Sequence, residues 1–291
     1  MRLGVSLAQV GRLADPASVR SAAVAADQVG YSSLWVLDPA GLSPACGPAL
    51  DPLTVLTYAA AVTSRVRLGT SVLVAPWYRP ALLARSLSSL DVLSDGRLTV
   101  GLGLGWSLDG YGAAGVPQRE LGRRLDEALD VLGAAWAGGD VGPRPAQRPR
   151  PPVLLAGYTP DALDRVARRA DGWNPGGVPV AELGPMWTTV RALAAGHGRD
   201  PDDLALVVRA GVHLTDRPIE GGDRPSYHGS VEQVADDLVA TGSAGADEVI
   251  LGLDGDHGLN EALEHYACIA EAVDFVDESG WESTNFVHGT A

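Results

Sequence analysis

The stretch LGTSVLVAPW, residues 68–77, has the composition of a buried strand with a defect in its middle. Its leucines and valines favour a strand that is buried on both faces of a parallel sheet. Gly69, Thr70 and Ser71 interrupt the apolar residues with backbone freedom and two hydroxyl groups. A glycine inside a strand often marks a bulge, or the close approach of another backbone or a ligand. From this stretch alone, an ordinary twisted strand and a ligand-supporting bulge both remain open.

Strand-like and helix-like segments alternate on both sides of this stretch, almost from end to end of the chain. Predicted strands occupy residues 3–7, 33–37, 66–74, 98–102, 153–156, 172–173, 204–214 and 248–253. Predicted helices occupy residues 16–29, 51–63, 80–93, 119–136, 159–169, 180–195, 231–241 and 259–273. Eight such βα units predict an α/β fold of the closed (β/α)8 TIM barrel type, with ligand sites at the carboxyl ends of the strands. An open, doubly wound sheet is the alternative architecture.

The chain is predicted to form one barrel domain over residues 1–276. The Pro/Arg-rich segment 138–152 is interpreted as a surface loop between the fourth and fifth units, because neither half of the chain would close a sheet well on its own. Hydrophobic periodicity is lost from residue 277 onward, so residues 277–291 are predicted to be a C-terminal tail.

Composition and charge limit the partners of this chain. Of its 291 residues, 46% are hydrophobic and 20% are charged, which is a globular balance. The formal net charge of −14 is poorly suited to nucleic-acid backbones or anionic membranes. No apolar segment approaches the length of a membrane span. We therefore expect a small-molecule substrate, with no nucleic-acid and no membrane partner.

The chain contains no lysine, since all 22 basic residues are arginine. This excludes Schiff-base, pyridoxal phosphate and P-loop chemistry, which depend on a lysine amine. Cys46 and Cys268 are far apart and have no metal-ligand spacing, which indicates two reduced thiols. The N-terminus has too short an apolar run for a signal peptide, so a cytoplasmic protein is expected. No cluster of His, Cys, Asp and Glu has metal-ligand spacing, and no metal is predicted.

The predicted strand ends are rich in glycine and poor in catalytic pairs. GLGLGW, residues 101–106, lacks the full dinucleotide-binding pattern, yet Gly105 would let the backbone approach a flat ring closely. DGWNPGG, residues 171–177, could aim backbone N–H groups at an anion. It makes ligand-binding candidates of Trp173, Asn174, Gly176 and Gly177. Simple turns are the alternative interpretation of both segments.

Few polar side chains near the strand ends point to catalysis. Asp38 follows the second predicted strand, and His213 lies within the seventh, where a hydrogen-bonded structural role is the alternative. The run DGDH, residues 254–257, is interpreted as a solvated turn after the last strand. No Ser/His/Asp triad is supported, because the G-x-S-x-G motif is absent.

Several segments together, and in order, resemble the bacterial luciferase-like superfamily of flavin and deazaflavin oxidoreductases. They are GYSSLWVLD (30–38), DPLTVLTYAAAVTSRVRLGTSVLVAPW (51–77), LLARSLSSLDVLSDGRLTVGLGLGW (82–106), GRRLDEALDVLGAAW (122–136) and PPVLLAGYTPDALDRVARRADGWNP (151–175). The resemblance covers roughly residues 1–275. It implies a (β/α)8 barrel that holds coenzyme F420 or FMN at its C-terminal mouth, and a homodimer.

The resemblance also implies roles for individual residues. Around the cofactor it places Ala156, Gly157, Gly176 and Gly177, in the loops that hold the phosphate. Asp38, Ser71 and Val72 would surround the ring. In the family, a non-prolyl cis peptide bond in the third strand supports the ring from behind, which favours a cis bond between Ser71 and Val72.

The chain departs from the family at two proton-handling positions. Pro39 follows Asp38, where the F420-dependent dehydrogenases have an Asp-His pair. Trp106 and Ser107 stand where those enzymes have a glutamate. Dehydrogenation of a sugar alcohol by the family route is therefore not expected.

Three functional hypotheses follow. The first is an F420-dependent reductase that delivers hydride to an activated C=C, C=N or carbonyl group of an apolar metabolite, with protonation by Asp38, Tyr111, His213 or water. The second is an FMN-dependent luciferase-like monooxygenase, whose apolar pocket would protect a peroxyflavin. The third is a barrel that binds a flavin without catalysis, which the missing histidine and glutamate favour.

Overall fold

The computed structural model describes residues 1–7, 9–39, 48–105, 112, 114–253 and 258–273. The strands are β1 Arg2–Ser6, β2 Ser33–Val36, β3 Arg67–Thr70, β4 Leu73–Val74, β5 Leu98–Gly103, β6 Val153–Leu155, β7 Gly172–Trp173, β8 Ala205–Leu214, β9 His228–Gly229 and β10 Glu248–Leu253. The α-helices are α1 Pro16–Val29, α2 Pro52–Val62, α3 Pro80–Leu93, α4 Leu121–Trp136, α5 Pro160–Arg169, α6 Val180–Gly196, α7 Val231–Ser243 and α8 Leu259–Ala272.

Eight parallel strands close into a barrel, which confirms the predicted (β/α)8 architecture. The order around the barrel is β1, β2, β3, β5, β6, β7, β8 and β10, and β10 pairs with both β8 and β1. Strand β4 carries on the line of β3 and pairs with β5, while β9 extends the upper end of β8. Because all strands run in one direction, their carboxyl ends meet at one mouth.

The helix limits follow from local start signals. Three helices begin with a side-chain cap followed by proline, whose missing N–H costs nothing in the first turn. The capping residues are Asp15, Asp51 and Thr159. None of the helices in the described ranges is long and apolar enough to cross a membrane.

The barrel interior below the mouth is packed by side chains from several strands. Trp35 packs with Leu154, Val207 and Ile250 in the middle of the barrel. Its indole N–H donates to the carboxylate of Glu248, 3.0 Å away, and this buried glutamate also accepts from the Ser33 hydroxyl. The buried acid is therefore hydrogen-bonded, and the barrel has a closed floor beneath the mouth.

The predicted third strand differs from the structure, whereas the predicted loop 138–152 agrees with it. The predicted strand 66–74 is divided into β3 and β4, with Ser71 and Val72 between them. Segment 138–152 is a connection without helix or strand, and Gln147 fastens it to Asp91 by a backbone bond of 2.9 Å and a side-chain bond of 2.7 Å. The predicted domain limit at residue 276 lies outside the described residues and stays a prediction.

We expect Gly101→Ala to be strongly destabilising, because a Cβ atom there would lie 1.9 Å from the carbonyl oxygen of Thr70. The backbone has to move, and the free energy of unfolding should fall by about 2 kcal/mol or more. Gly133→Ala is the control, since that α4 glycine has open space and alanine favours helix by up to about 1 kcal/mol. Urea unfolding of both variants checks this; equal stability of the two would contradict it.

Candidate active site

A cavity of about 390 Å³ opens at the carboxyl ends of the strands, between β2 and β8. One wall comes from the divided third strand and the loop after β2, and the opposite wall comes from the loops after β6 and β7. The lining includes Asp38, Ser71, Val72, Val74, Trp77, Gly103, Gly105, Ala156, Gly157, Tyr158, Thr159, Arg165, Asn174, Gly176 and Arg209. The cavity therefore sits where a TIM barrel normally carries its active site.

Ser71 and Val72, which separate β3 from β4, form a shelf on the wall of this cavity. The peptide bond between Ser71 and Val72 is cis, as the family resemblance implies. The shelf is bonded to the end of β2, since the Ser71 N–H donates to the Val36 carbonyl (2.7 Å) and the Asp38 N–H donates to the Val72 carbonyl (3.0 Å). It is thus a fixed part of the barrel wall.

Strand β5 accommodates the shelf because it lacks side chains where the shelf touches it. A Cβ atom on Gly103 would lie 2.7 Å from a methyl carbon of Val72. At Gly101 the Thr70 hydroxyl forms two 2.8 Å bonds with the backbone N–H and carbonyl, in place of ladder bonds. The glycine-rich sequence of β5 is therefore explained by close approach of the neighbouring backbone.

Asp38 fastens the shelf and also faces the cavity. One carboxylate oxygen accepts from the Val74 N–H at 2.6 Å, and the other accepts from the Tyr78 hydroxyl at 2.7 Å. Burial raises the pKa of Asp38 to about 6, and the negative charge of Asp51 acts in the same direction, whereas the two hydrogen bonds lower it. The carboxyl group can therefore hold or release a proton near neutral pH.

The opposite end of the cavity has the features of an anion site. Helix α5 begins there, and Thr159 caps it by accepting from the Ala162 N–H at 3.3 Å. Gly157 has a φ of +130°, which lets the chain turn into the helix next to the cavity. Arg165 also reaches the cavity and is held by a 2.8 Å bond to Asp126 on α4. A helix N-terminus with a nearby guanidinium suits a phosphate group.

Two buried polar atoms on the cavity lining have no hydrogen-bond partner in the described part of the chain. They are the indole N–H of Trp77 and the side-chain oxygen of Asn174. Buried polar atoms are normally hydrogen-bonded, so unpartnered ones in a cavity indicate a polar ligand. With the shelf at one end and the anion site at the other, the residues present fit a flat ring joined to a phosphate.

Most of the residues predicted from the sequence line this cavity, but three described ones do not. Trp173 points outward, where it stacks on Trp187 at 6.5 Å between ring centroids and donates to the Gly157 carbonyl. It positions the glycine instead of lining the cavity. Gly177 lies exposed beside the rim, with a φ of +72°.

His213 is exposed, and its ring lies 5.4 Å from that of His228. It is not among the residues that line the cavity, which does not favour it as a proton donor. Tyr111 lies outside the described residues, as do Trp106, Ser107 and the run 254–257.

Two residues that complete the site, Tyr78 and Arg165, have little signal in the sequence. Tyr78 donates to Asp38 from forty positions further along the chain, and no local pattern indicates that contact. Arg165 lines the cavity because of the way α5 is rotated against the barrel, which the sequence does not show. Its one sequence signal is its place in the second turn of a helix that was already predicted to start beside Gly157.

Comparisons with known proteins agree with this architecture. A family model described as luciferase-like monooxygenase matches residues 1–221. An uncharacterized protein of Mycobacterium tuberculosis is 35% identical over 212 residues, which is 66% of this chain and 73% of that protein.

Two solved structures share the fold over nearly their whole length. The monooxygenase RslO1 from Streptomyces bottropensis superposes with a TM-score of 0.80 at 23% identity, covering 94% of this chain and 98% of that one. The coenzyme F420 dependent tetrahydromethanopterin reductase from Methanopyrus kandleri gives a TM-score of 0.73 at 16% identity, covering 95% and 97%.

Carboxyl NMR titration should give Asp38 a pKa of about 6 in the wild-type protein. Tyr78→Phe should move that pKa further upward, because the lost hydroxyl stabilises the charged carboxylate. Between pH 4 and pH 6, roughly, the folded protein keeps a proton on Asp38 that the unfolded chain has already released. Stability should therefore fall as the pH rises from about 4 to about 6. A pKa near 4, or a downward shift in Tyr78→Phe, would contradict this account of the site.

Proposed function

The chain belongs to the luciferase-like monooxygenase family, and from that premise we propose that it is an F420-dependent reductase. It would deliver hydride to an activated C=C, C=N or carbonyl group of a small apolar molecule. The observation that carries this proposal is the Asp38 carboxyl, which faces the cavity directly beside the shelf at Ser71 and Val72. A ring that rests on the shelf would have a proton source at its side.

The protein's part in this reaction begins with binding. Reduced F420, when bound, supplies the hydride. Ser71 and Val72 would support its ring, while Gly103 and Gly105 allow close approach of the backbone. The anion site at Gly157, Thr159 and Arg165 would hold the phosphate.

Asp38 would complete the reduction by protonating the substrate. Addition of hydride to a polarised double bond leaves negative charge on the far atom, which a neutral carboxylic acid can protonate. The carboxylate that remains is stabilised by the Tyr78 hydroxyl and the Val74 N–H. One proton thus moves from Asp38 to the product, and solvent replaces it.

The walls of the cavity favour an apolar substrate. Val72, Val74, Leu104, Leu125 and Leu155 contribute to the lining between the shelf and the anion site. With a substrate bound, these side chains would exclude water from the reacting atoms, which strengthens electrostatic interactions there. The same property would suit the oxygen chemistry that a reduced flavin supplies when bound.

A second function, FMN-dependent monooxygenation, is favoured by the modest positive charge of the anion site. Two arginines, Arg165 and Arg209, line the described part of the cavity, the guanidinium of Arg165 is shared with Asp126, and the chain has no lysine. This arrangement suits a single phosphate, whereas F420 carries further carboxylates beyond its phosphate. The solved structures with this fold include both a monooxygenase and an F420-dependent reductase.

Binding of F420 and of FMN, each followed by fluorescence, separates these proposals. Tight binding of F420, and oxidation of its reduced form by α,β-unsaturated ketones or imines, would support the reductase. Tight binding of FMN without binding of F420 would overturn it. Binding without any faster reoxidation than that of the free cofactor would favour a catalytically inactive flavin-binding barrel.

Asp38→Asn should lower kcat about 100-fold, because general acid catalysis is lost. The shelf can be kept, since the amide oxygen can accept from the Val74 N–H and the amide NH2 can donate to the Tyr78 hydroxyl. The wild-type rate should fall as the pH rises through about 6, since only the protonated acid is active, and the variant should lack this dependence. Steady-state kinetics between pH 5 and 9 test this, with cofactor affinity as a check on the fold. A variant with the wild-type pH profile would rule out Asp38 as the acid.

Arg165→Met should weaken binding of the phosphate-bearing cofactor about tenfold, because one charge-assisted contact is removed and Asp126 is left without that arginine. The matched control is Arg168→Met. Arg168 lies about one turn further along α5 and pairs with Asp164 at the surface. Fluorescence titration of both variants measures the effect. Equal affinities in the two variants would place the phosphate elsewhere.

A further inference from the structure

The backbone hydrogen bonds between β7 and β8 continue past the end of β7 to residue 175, where one N–H donor is missing. The Arg209 N–H donates to the Pro175 carbonyl at 2.8 Å, as expected for a parallel pair. The same register requires the N–H of residue 175 to donate to the Val207 carbonyl. Proline has no N–H, so the ladder alone leaves the Val207 carbonyl without this donor.

Asn174 repairs this defect with its side chain. Its amide nitrogen donates to the Val207 carbonyl at 2.6 Å. A carbonyl oxygen can only accept, so the NH2 group has to face Val207, and the orientation of the amide is fixed. The side-chain oxygen must therefore point away from that strand.

The side-chain oxygen of Asn174 is an oriented acceptor with no donor. Asn174 is only 2% exposed, and this oxygen has no hydrogen-bond partner among the described residues. The residue lines the cavity, and its backbone N–H is already bonded to the Leu155 carbonyl at 2.9 Å. A ligand that enters the cavity with an O–H or N–H donor would satisfy it.

The position of Asn174 identifies which part of a ligand it meets. It precedes Gly176 by two residues and is bonded next to Ala156, so it lies near the loops of the anion site. The shelf at Ser71 and Val72 lies on the other wall. Both candidate cofactors carry a ribitol chain between the ring and the phosphate, and that chain would lie across this part of the cavity.

We propose that the Asn174 side-chain oxygen accepts a hydrogen bond from a hydroxyl group of this polyol chain, and so selects polyol phosphates. The proposal rests on the proposed function for the placement of ring and phosphate. It does not depend on whether the ring is that of F420 or of FMN. Pro175 explains why the Val207 carbonyl needs the Asn174 amide. In Pro175→Ala the amide can still face the second lone pair of that carbonyl, so its orientation is kept.

The test separates the repair of the ladder from the recognition of the ligand. Asn174→Ala alone would leave the Val207 carbonyl without a donor and should lower the thermal midpoint. In Asn174→Ala/Pro175→Ala, the backbone N–H at residue 175 can donate instead, and much of that loss should be recovered. Pro175→Ala alone is the matched control for the double variant, because it keeps the asparagine.

Ribitol 5-phosphate and n-pentyl phosphate are the two probes, since they differ only in the chain hydroxyl groups. NMR titration of each variant gives the ratio of their dissociation constants. This ratio should favour ribitol 5-phosphate about tenfold more in the wild type and in Pro175→Ala than in the double variant. An equal ratio in all three proteins would overturn the proposal. So would a ratio that Pro175→Ala alone lowers as much as the double variant does.

The outcome is distinguishable from failure of the proposed function. If neither F420 nor FMN binds the wild-type protein, the proposed function fails, whatever the polyol probes show. If a cofactor binds and the probe ratio stays unchanged in the double variant, the proposed function stands, and the role of Asn174 is wrong.

Discussion

The hydrogen bonds of Asp38 are the constraint on which the mouth of this barrel depends. Its backbone N–H holds the Val72 carbonyl, and its carboxylate holds the Val74 N–H and the Tyr78 hydroxyl. Through these contacts a single residue at the end of β2 fixes the break in the third strand from both sides. Strand β5 needs glycine at residues 101 and 103, because a side chain there would collide with Thr70 or with the shelf.

This arrangement joins structure and chemistry in one carboxyl group. Burial beside the shelf raises the pKa of Asp38 to about 6, so the group that positions the shelf is also suited to proton transfer. The residue after Asp38 is Pro39, which has no titratable side chain. Proton handling in this protein is therefore proposed to rest on the aspartate itself, supported by Tyr78.

The fold was predictable from the sequence because its signals are local. Helix limits at Pro16–Val29 and Pro80–Leu93 match the predictions, since proline starts and apolar periodicity mark them. The division of the third strand was visible only as an ambiguous run of glycine and hydroxyl residues. Site details such as the contact of Arg165 with Asp126 and the Asn174 repair of β8 join residues more than thirty positions apart. Local patterns carry no information about such pairs, and they also suggested an inward Trp173, which faces α6.

A crystal structure of the protein loaded with its cofactor would show whether one cavity holds the ring on the shelf and the phosphate at the start of α5. We expect ring atoms in van der Waals contact with Ser71 and Val72, and phosphate oxygens within hydrogen-bond distance of the backbone near Thr159. A ring bound away from the shelf, or a phosphate bound outside the loops after β6 and β7, would contradict it.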